Sequence, residues 1–140
     1  QGGFDRVNNR QYRDFGRIVS VLAHTENFRD LPLKFVRMSL VPSVQFGNYR
    51  MVPREAGFYI WGLLSDEASE QYERTGTITG GDLNSGPNVW IFYMAATGSA
   101  FRVARDAQRF LSKRYPNNIA KSRRHWKGGR VQEWKRAKTD

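Results

Sequence analysis

Few side chains in this chain are equipped for chemistry. It contains no cysteine and two histidines, His24 and His125. A thiol nucleophile, a disulfide and a thiolate metal site are therefore excluded, and no zinc or other metal site is expected. The most suggestive arrangement is a turn, Thr97-Gly98-Ser99, which follows the apolar run Val89–Ala96 and precedes a helical pattern. Strand, Gly/Ser turn and helix N-terminus together can aim backbone N–H groups at an anion or an acyl thioester. The same order of elements also fits a core strand followed by an ordinary capped helix. The run itself is rich in aromatic and β-branched residues and is bounded by Ser85-Gly86-Pro87, so it reads as a central strand buried on both faces.

The other elements must position that turn. Tyr12, Phe15, Ile18, Val19 and Leu22 recur at spacings of three and four, which predicts an amphipathic helix over Gln11–Ala23. Gln1–Arg10 is polar and reads as an N-terminal arm without a signal peptide. Leu33–Val41 fits neither a helical nor a strand period. Val44-Gln45-Phe46-Gly47 alternates into Tyr49–Val52 and reads as strand, then Pro53–Gly57 as a turn and Phe58–Leu64 as the second arm of a hairpin. Ser65 with Asp66 and Glu67 marks the start of a short helix ending near Arg74. Ala100–Arg114 carries an apolar stripe of Phe101, Ala104, Ala107, Phe110 and Leu111, and a basic face of Arg102, Arg105, Arg109 and Lys113. A Gly128-Gly129 turn suggests a last hairpin or edge strand, and 135–140 a basic tail. The expected organisation is one α+β domain over 11–134, with a mostly antiparallel sheet flanked by helices in the acetyltransferase-like (GNAT) plan.

The formal net charge of +10 favours an acidic partner: an acidic protein, an anionic membrane or nucleic acid. Trp126 and Trp134 interleave with Lys and Arg, which would suit base stacking. No nucleic-acid motif accompanies them, so nucleic acid ranks last. No run is long enough to cross a membrane.

Several blocks, taken in order, resemble the RTX toxin-activating lysine acyltransferases of the hemolysin-activating type. They are Phe28-Arg29-Asp30-Leu31-Pro32-Leu33, then Leu40-Val41-Pro42-Ser43-Val44 with Tyr49, then Trp61-Gly62-Leu63-Leu64-Ser65 with Glu67 and Tyr72. Asp82-Leu83-Asn84-Ser85-Gly86 with Trp90 follows, then Arg114-Tyr115-Pro116 and Trp126-Lys127-Gly128-Gly129-Arg130-Val131. The resemblance spans about Ile18–Val131. It implies a GNAT-like fold and transfer of a fatty acyl group from acyl carrier protein to a protein lysine, with no bound cofactor and the acyl carrier as donor substrate. It also implies a cytoplasmic protein.

The resemblance further implies a His just before Arg29 and an Asp on the central strand. This chain has Phe28 and Tyr93 there. His24, one helical turn before Phe28, is the candidate for a relocated base, with Glu26, Asp82 or Tyr93 as its second group. The commoner reading of His24 is a polar helix-end residue, and that of Tyr93 a core aromatic. On the acyltransferase reading Thr97, Gly98 and Ser99 would hold the thioester, and Arg102, Arg105, Arg109, Arg123 and Arg124 would dock the acidic carrier. The alternative is an inactive relative serving as a binding or structural module, as a homodimer or in a larger assembly such as a secretion system or virion.

Overall fold

The computed structural model describes residues 8–24, 33–35, 40–78, 82–123 and 130–134. Helix α1 spans Asn9–His24, α2 Leu33–Phe35 and α3 Val41–Phe46; strands β1 Tyr49–Val52 and β2 Gly57–Leu64 follow. Next come α4 Asp66–Thr75, β3 Asn88–Ala96, α5 Ala100–Arg114, β4 Ala120–Arg123 and β5 Val131–Trp134. The strands form one five-stranded sheet in chain order. All neighbours are antiparallel except β3 and β4, which run parallel across the connection through α5. This is the α+β, acetyltransferase-like architecture expected from the sequence. No described helix is long and apolar enough to cross a membrane.

The sheet separates two apolar layers. On one face Phe58, Ile60 and Leu64 of β2 pack with Ile18 and Leu22 of α1, Val44 of α3 and Ala68 and Tyr72 of α4. On the other, Tyr59 and Trp61 pack with Val103, Ala107 and Leu111 of α5. Neighbouring β2 residues thus feed opposite layers, as the pleat requires. The third strand of five, β3, is buried from Val89 to Tyr93, in keeping with its apolar run.

Local signals explain most boundaries. Asn8 Oδ1 accepts from the Gln11 N–H at 2.8 Å and Gln11 Oε1 accepts from the Asn8 N–H at 3.1 Å, a reciprocal cap that starts α1 two residues before the expected Gln11. Ser65 Oγ accepts from the Ala68 N–H at 3.1 Å and opens α4 as its sequence predicts. The segment ahead of β1 is a correction: Val44-Gln45-Phe46 belongs to a helix, not a strand. Pro42 sits in the first turn, and Gly47 closes the helix at φ 76°, its N–H turned back on the Ser43 and Val44 carbonyls. Three alternating residues cannot separate a short helix from a strand. The final hairpin exists as the β4–β5 pair; its turn lies outside the described residues, as do the arm 1–7 and the tail 135–140.

Phenols tie the helices to the sheet. Tyr49 of β1 donates to Asp14 of α1 at 2.7 Å. Tyr59 of β2 donates to Asp106 of α5 at 2.7 Å, and Arg50 grips the same carboxylate at 2.7 and 3.1 Å. Burial, reinforced by the Asp14 bond, pushes the Tyr49 phenol up to about 12. Burial, then the Asp106 bond, also raises Tyr59, and burial raises Tyr72. A phenol whose pKa is higher folded than unfolded stabilises the fold fully below its unfolded value, and that stability is lost as pH rises through the folded value. Thermal melting followed by circular dichroism should therefore hold steady to about pH 10 and then fall. Tyr49→Phe should soften the part of the fall between about pH 10 and about 12. An identical fall in the variant would show that Tyr49 is not responsible.

Candidate functional site

One end of the sheet gathers the C-terminus of α1, the β1–β2 turn, the end of β3 and the start of α5. Bonds along α1 fix its direction. Asp14 meets Tyr49 at the start of β1, and one turn later Arg17 meets Glu55 in the β1–β2 turn at 3.3 Å. The helix thus runs toward the turn, and its last residue, His24, emerges at that end.

Glu55 and Arg54 are left-handed, at φ 54° and 63°, and turn the chain sharply enough to bring β2 back on β1. The end of β3 is bound to this turn. The Ala56 carbonyl accepts from the N–H groups of Thr97 and Gly98 at 2.9 and 3.1 Å, and Thr97 Oγ1 donates to the Glu55 carbonyl at 2.6 Å. Ser99 caps α5, its Oγ accepting from the Arg102 N–H at 3.2 Å. Of the three residues expected to hold a thioester, Thr97 and Gly98 have thus committed their N–H groups to Ala56. The N–H groups at this end with no described partner are those of Ser99, Ala100 and Phe101.

Between α1 and the turn lies an open cleft of about 570 Å³. Among the described residues Val21, Met51, Val52 and Phe58 supply apolar wall, and Arg17, Arg54, Glu55 and Thr97 polar rim. Arg17 and Val21 line the cleft, and His24, at i+7 from Arg17, lies beyond the residues that line it. His24 is exposed, and its Nδ1 lies 2.7 Å from the Ser20 carbonyl oxygen. A carbonyl can only accept, so Nδ1 carries a proton, and in the neutral ring Nε2 is then the acceptor. That is the tautomer a general base needs.

Tyr93 lies elsewhere in depth. It is 3% exposed, within the layer that α1 and α4 cover. A β-bulge puts it there: Ile60 pairs with Tyr93 and Trp61 with Ile91, leaving Phe92 without an opposite residue. Phe92 and Tyr93 consequently enter the same layer although adjacent. Nearby, Tyr72 stacks edge-on against Trp90 and Phe92, ring centroids 5.0 and 5.4 Å away. Its buried hydroxyl has no hydrogen-bond partner among the described residues. No described bond joins Tyr93 to His24, while Asp82 lies partly buried ahead of β3. Phe28, Glu26, Arg124 and His125 fall outside the described residues.

The basic residues divide between the two faces of the sheet. Arg102, Arg105, Arg109 and Lys113 of α5 rim a groove with Arg50, floored by Phe110 and Asp106. Arg123 is not among them. It packs its guanidinium against Gly76 and donates toward the Glu73 carbonyl at 3.5 Å, across the end of α4 on the opposite face. Lys121 keeps it company there, 3.8 Å from the Glu73 carboxylate. The sequence pattern did not single out the roles of Arg50, Asp106, Arg17 or Glu55. Each acts through a partner far along the chain, and local periodicity carries no record of that.

A family model described as the RTX toxin acyltransferase family matches residues 7–135. An uncharacterised protein of Synechocystis is 26% identical over 131 residues, covering 89% of this chain and 87% of that protein. The leukotoxin-activating lysine-acyltransferase LtxC of Aggregatibacter actinomycetemcomitans is 25% identical over 140 residues, covering 94% of this chain and 81% of that protein.

Proposed function

The chain belongs to the RTX toxin acyltransferase family, and from that premise we propose that it transfers a fatty acyl group from acyl carrier protein to a lysine of a protein substrate in the cytoplasm. The observation that supports this reading is His24 at the exposed end of α1, its Nδ1 2.7 Å from the Ser20 carbonyl oxygen, on the helix whose Arg17 and Val21 line the cleft. The cleft takes the acyl chain, with the thioester at the end where α5 begins.

Nε2 of His24 removes a proton from the lysine ammonium, and the freed amine attacks the thioester carbonyl carbon. A C–N bond forms, and the carbonyl electron pair moves to oxygen. The N–H groups of Ser99, Ala100 and Phe101, at the positive end of that helix, stabilise the resulting oxyanion. As the oxyanion collapses the C–S bond breaks. The attacking nitrogen passes its surplus proton to water, leaving a neutral amide, and the carrier leaves as a thiolate that takes up the proton His24 acquired.

The acidic carrier docks on Arg102, Arg105 and Arg109. A triple substitution of these arginines to glutamate should weaken carrier binding more than about tenfold at low salt and flatten its salt dependence, read by fluorescence anisotropy. Unchanged affinity would place the dock elsewhere.

The function itself is tested by incubating the protein with a long-chain acyl–acyl carrier protein and a lysine-bearing acceptor. Free carrier thiol should accumulate above a no-protein control, in step with amide on the acceptor. Carrier binding without thiol release would leave a recognition module, consistent with Phe28 and Tyr93 at the family's catalytic positions. Neither binding nor release would overturn both.

A further inference from the structure

The cleft beside the β1–β2 turn is charged in a way that a thioester does not use. A thioester carbonyl bears no formal charge, yet two guanidinium groups, those of Arg17 and Arg54, stand at the rim of the apolar wall. Among the described residues one carboxylate, Glu55, answers them, and it reaches Arg17 at 3.3 Å. Both partners are open to water, the Arg17 side chain 54% exposed and the Glu55 side chain 83%. A pair so exposed is screened and exchanges readily with other ions.

The backbone at Glu55 is held independently of its side chain. Thr97 Oγ1 bonds the Glu55 carbonyl, and the next carbonyl, Ala56, takes two N–H groups from Thr97 and Gly98. The Glu55 carboxylate can therefore swing off Arg17 while the turn stays in place. What it vacates is a cationic rim above Val21 and Met51, the half-buried apolar side chains of the cleft. That combination matches a carboxylate head joined to a hydrocarbon chain.

We propose that this cleft binds a free long-chain carboxylate, whose head displaces Glu55 from Arg17 and is shared with Arg54 while its chain lies on Val21 and Met51. The inference rests on the acyl-binding reading of the cleft and adds regulation to it. A free fatty acid occupies the seat of the acyl chain and competes with the donor. The charged head, absent from the thioester, favours the acid, and Glu55 is the internal competitor that keeps its affinity in check.

Calorimetric titration with monomeric dodecanoate, dodecanol and dodecyltrimethylammonium tests this. Dodecanoate should bind at least about tenfold more tightly than dodecanol, and the cation should not bind. Arg17→Gln should weaken dodecanoate about tenfold, whereas Glu55→Gln should tighten it about threefold. Both residues are exposed, so folded variants are expected and circular dichroism melting checks them. Dodecanol binding as well as dodecanoate, or Glu55→Gln leaving affinity unchanged or weaker, overturns the proposal. In parallel, dodecanoate should slow thiol release from the acyl carrier. Thiol release with no dodecanoate binding sinks the inference and leaves acyl transfer standing. Dodecanoate binding with no thiol release does the opposite.

Discussion

His24→Ala is expected to lower acyl transfer by about a hundredfold or more while carrier affinity and melting temperature stay near those of the parent. The asymmetry follows from where the ring sits. His24 is exposed, ends α1, and its one described bond is from Nδ1 to the Ser20 carbonyl. Removing it takes no side chain from either apolar layer. The structural contribution of a polar residue in a last helical turn is only about 0.5 kcal/mol. A general base contributes far more than that, on the order of 3–5 kcal/mol of barrier lowering. Thiol release with the variant, measured at saturating donor, decides the matter. A variant with full activity would remove His24 from the mechanism. Recovery of activity with added imidazole would fix the lost group as a proton acceptor.

Gly57→Ala carries the largest expected cost to stability. Gly57 opens β2 at φ 149°, a conformation that side chains rarely adopt. A Cβ there would press into the Ala95 carbonyl oxygen and come within 2.8 Å of Ala96 Cα and 2.9 Å of Val103 Cγ2. Two of those atoms are backbone of the central strand, and the third belongs to α5. Nothing flexible is available to move aside. Strain and overpacking together should cost about 3 kcal/mol or more, lowering the melting temperature by roughly 10 °C. Calorimetry reads this directly. A melting temperature within a degree or so of the parent would mean that β2, β3 and α5 are not held as tightly as their spacing indicates.

The two substitutions also mark what the chain discloses about itself and what it hides. Helix α1, the β1–β2 turn, the Ser65 cap, strand β3 and helix α5 are written locally, in periodicity and in residues whose side chains bond their own backbone. The α3 helix was hidden because a segment of six residues holds less than two turns of pattern. The parity of Tyr93 was hidden because one unpaired residue, Phe92, reverses the in-and-out alternation for the rest of the strand. Arg123 was grouped with the α5 arginines on charge alone, yet its side is set by the pairing of β4 with β3 and β5. The turn at Thr97 was legible as a turn. That its first two N–H groups are spent on Ala56 depends on a residue some forty positions earlier. Family resemblance supplied the position of Phe28 and Tyr93, and geometry supplied the tautomer of His24.

Helices α4 and α5 lie on opposite faces of the sheet and carry opposite charge. Asp66, Glu67, Glu70 and Glu73 lie on α4, while Arg102, Arg105, Arg109 and Lys113 lie on α5. A molecule with net charge +10 could be uniformly adhesive to anions. Here α5 concentrates positive charge, whereas the carboxylates of α4 offset Lys121 and Arg123 on the opposite face. An acidic body diffusing past would exert a torque on it, turning the α5 face inward before the surfaces touch. Orientation of the encounter then becomes a property of the long-range field, present at low ionic strength and erased once the screening length falls below the distance between the two helices.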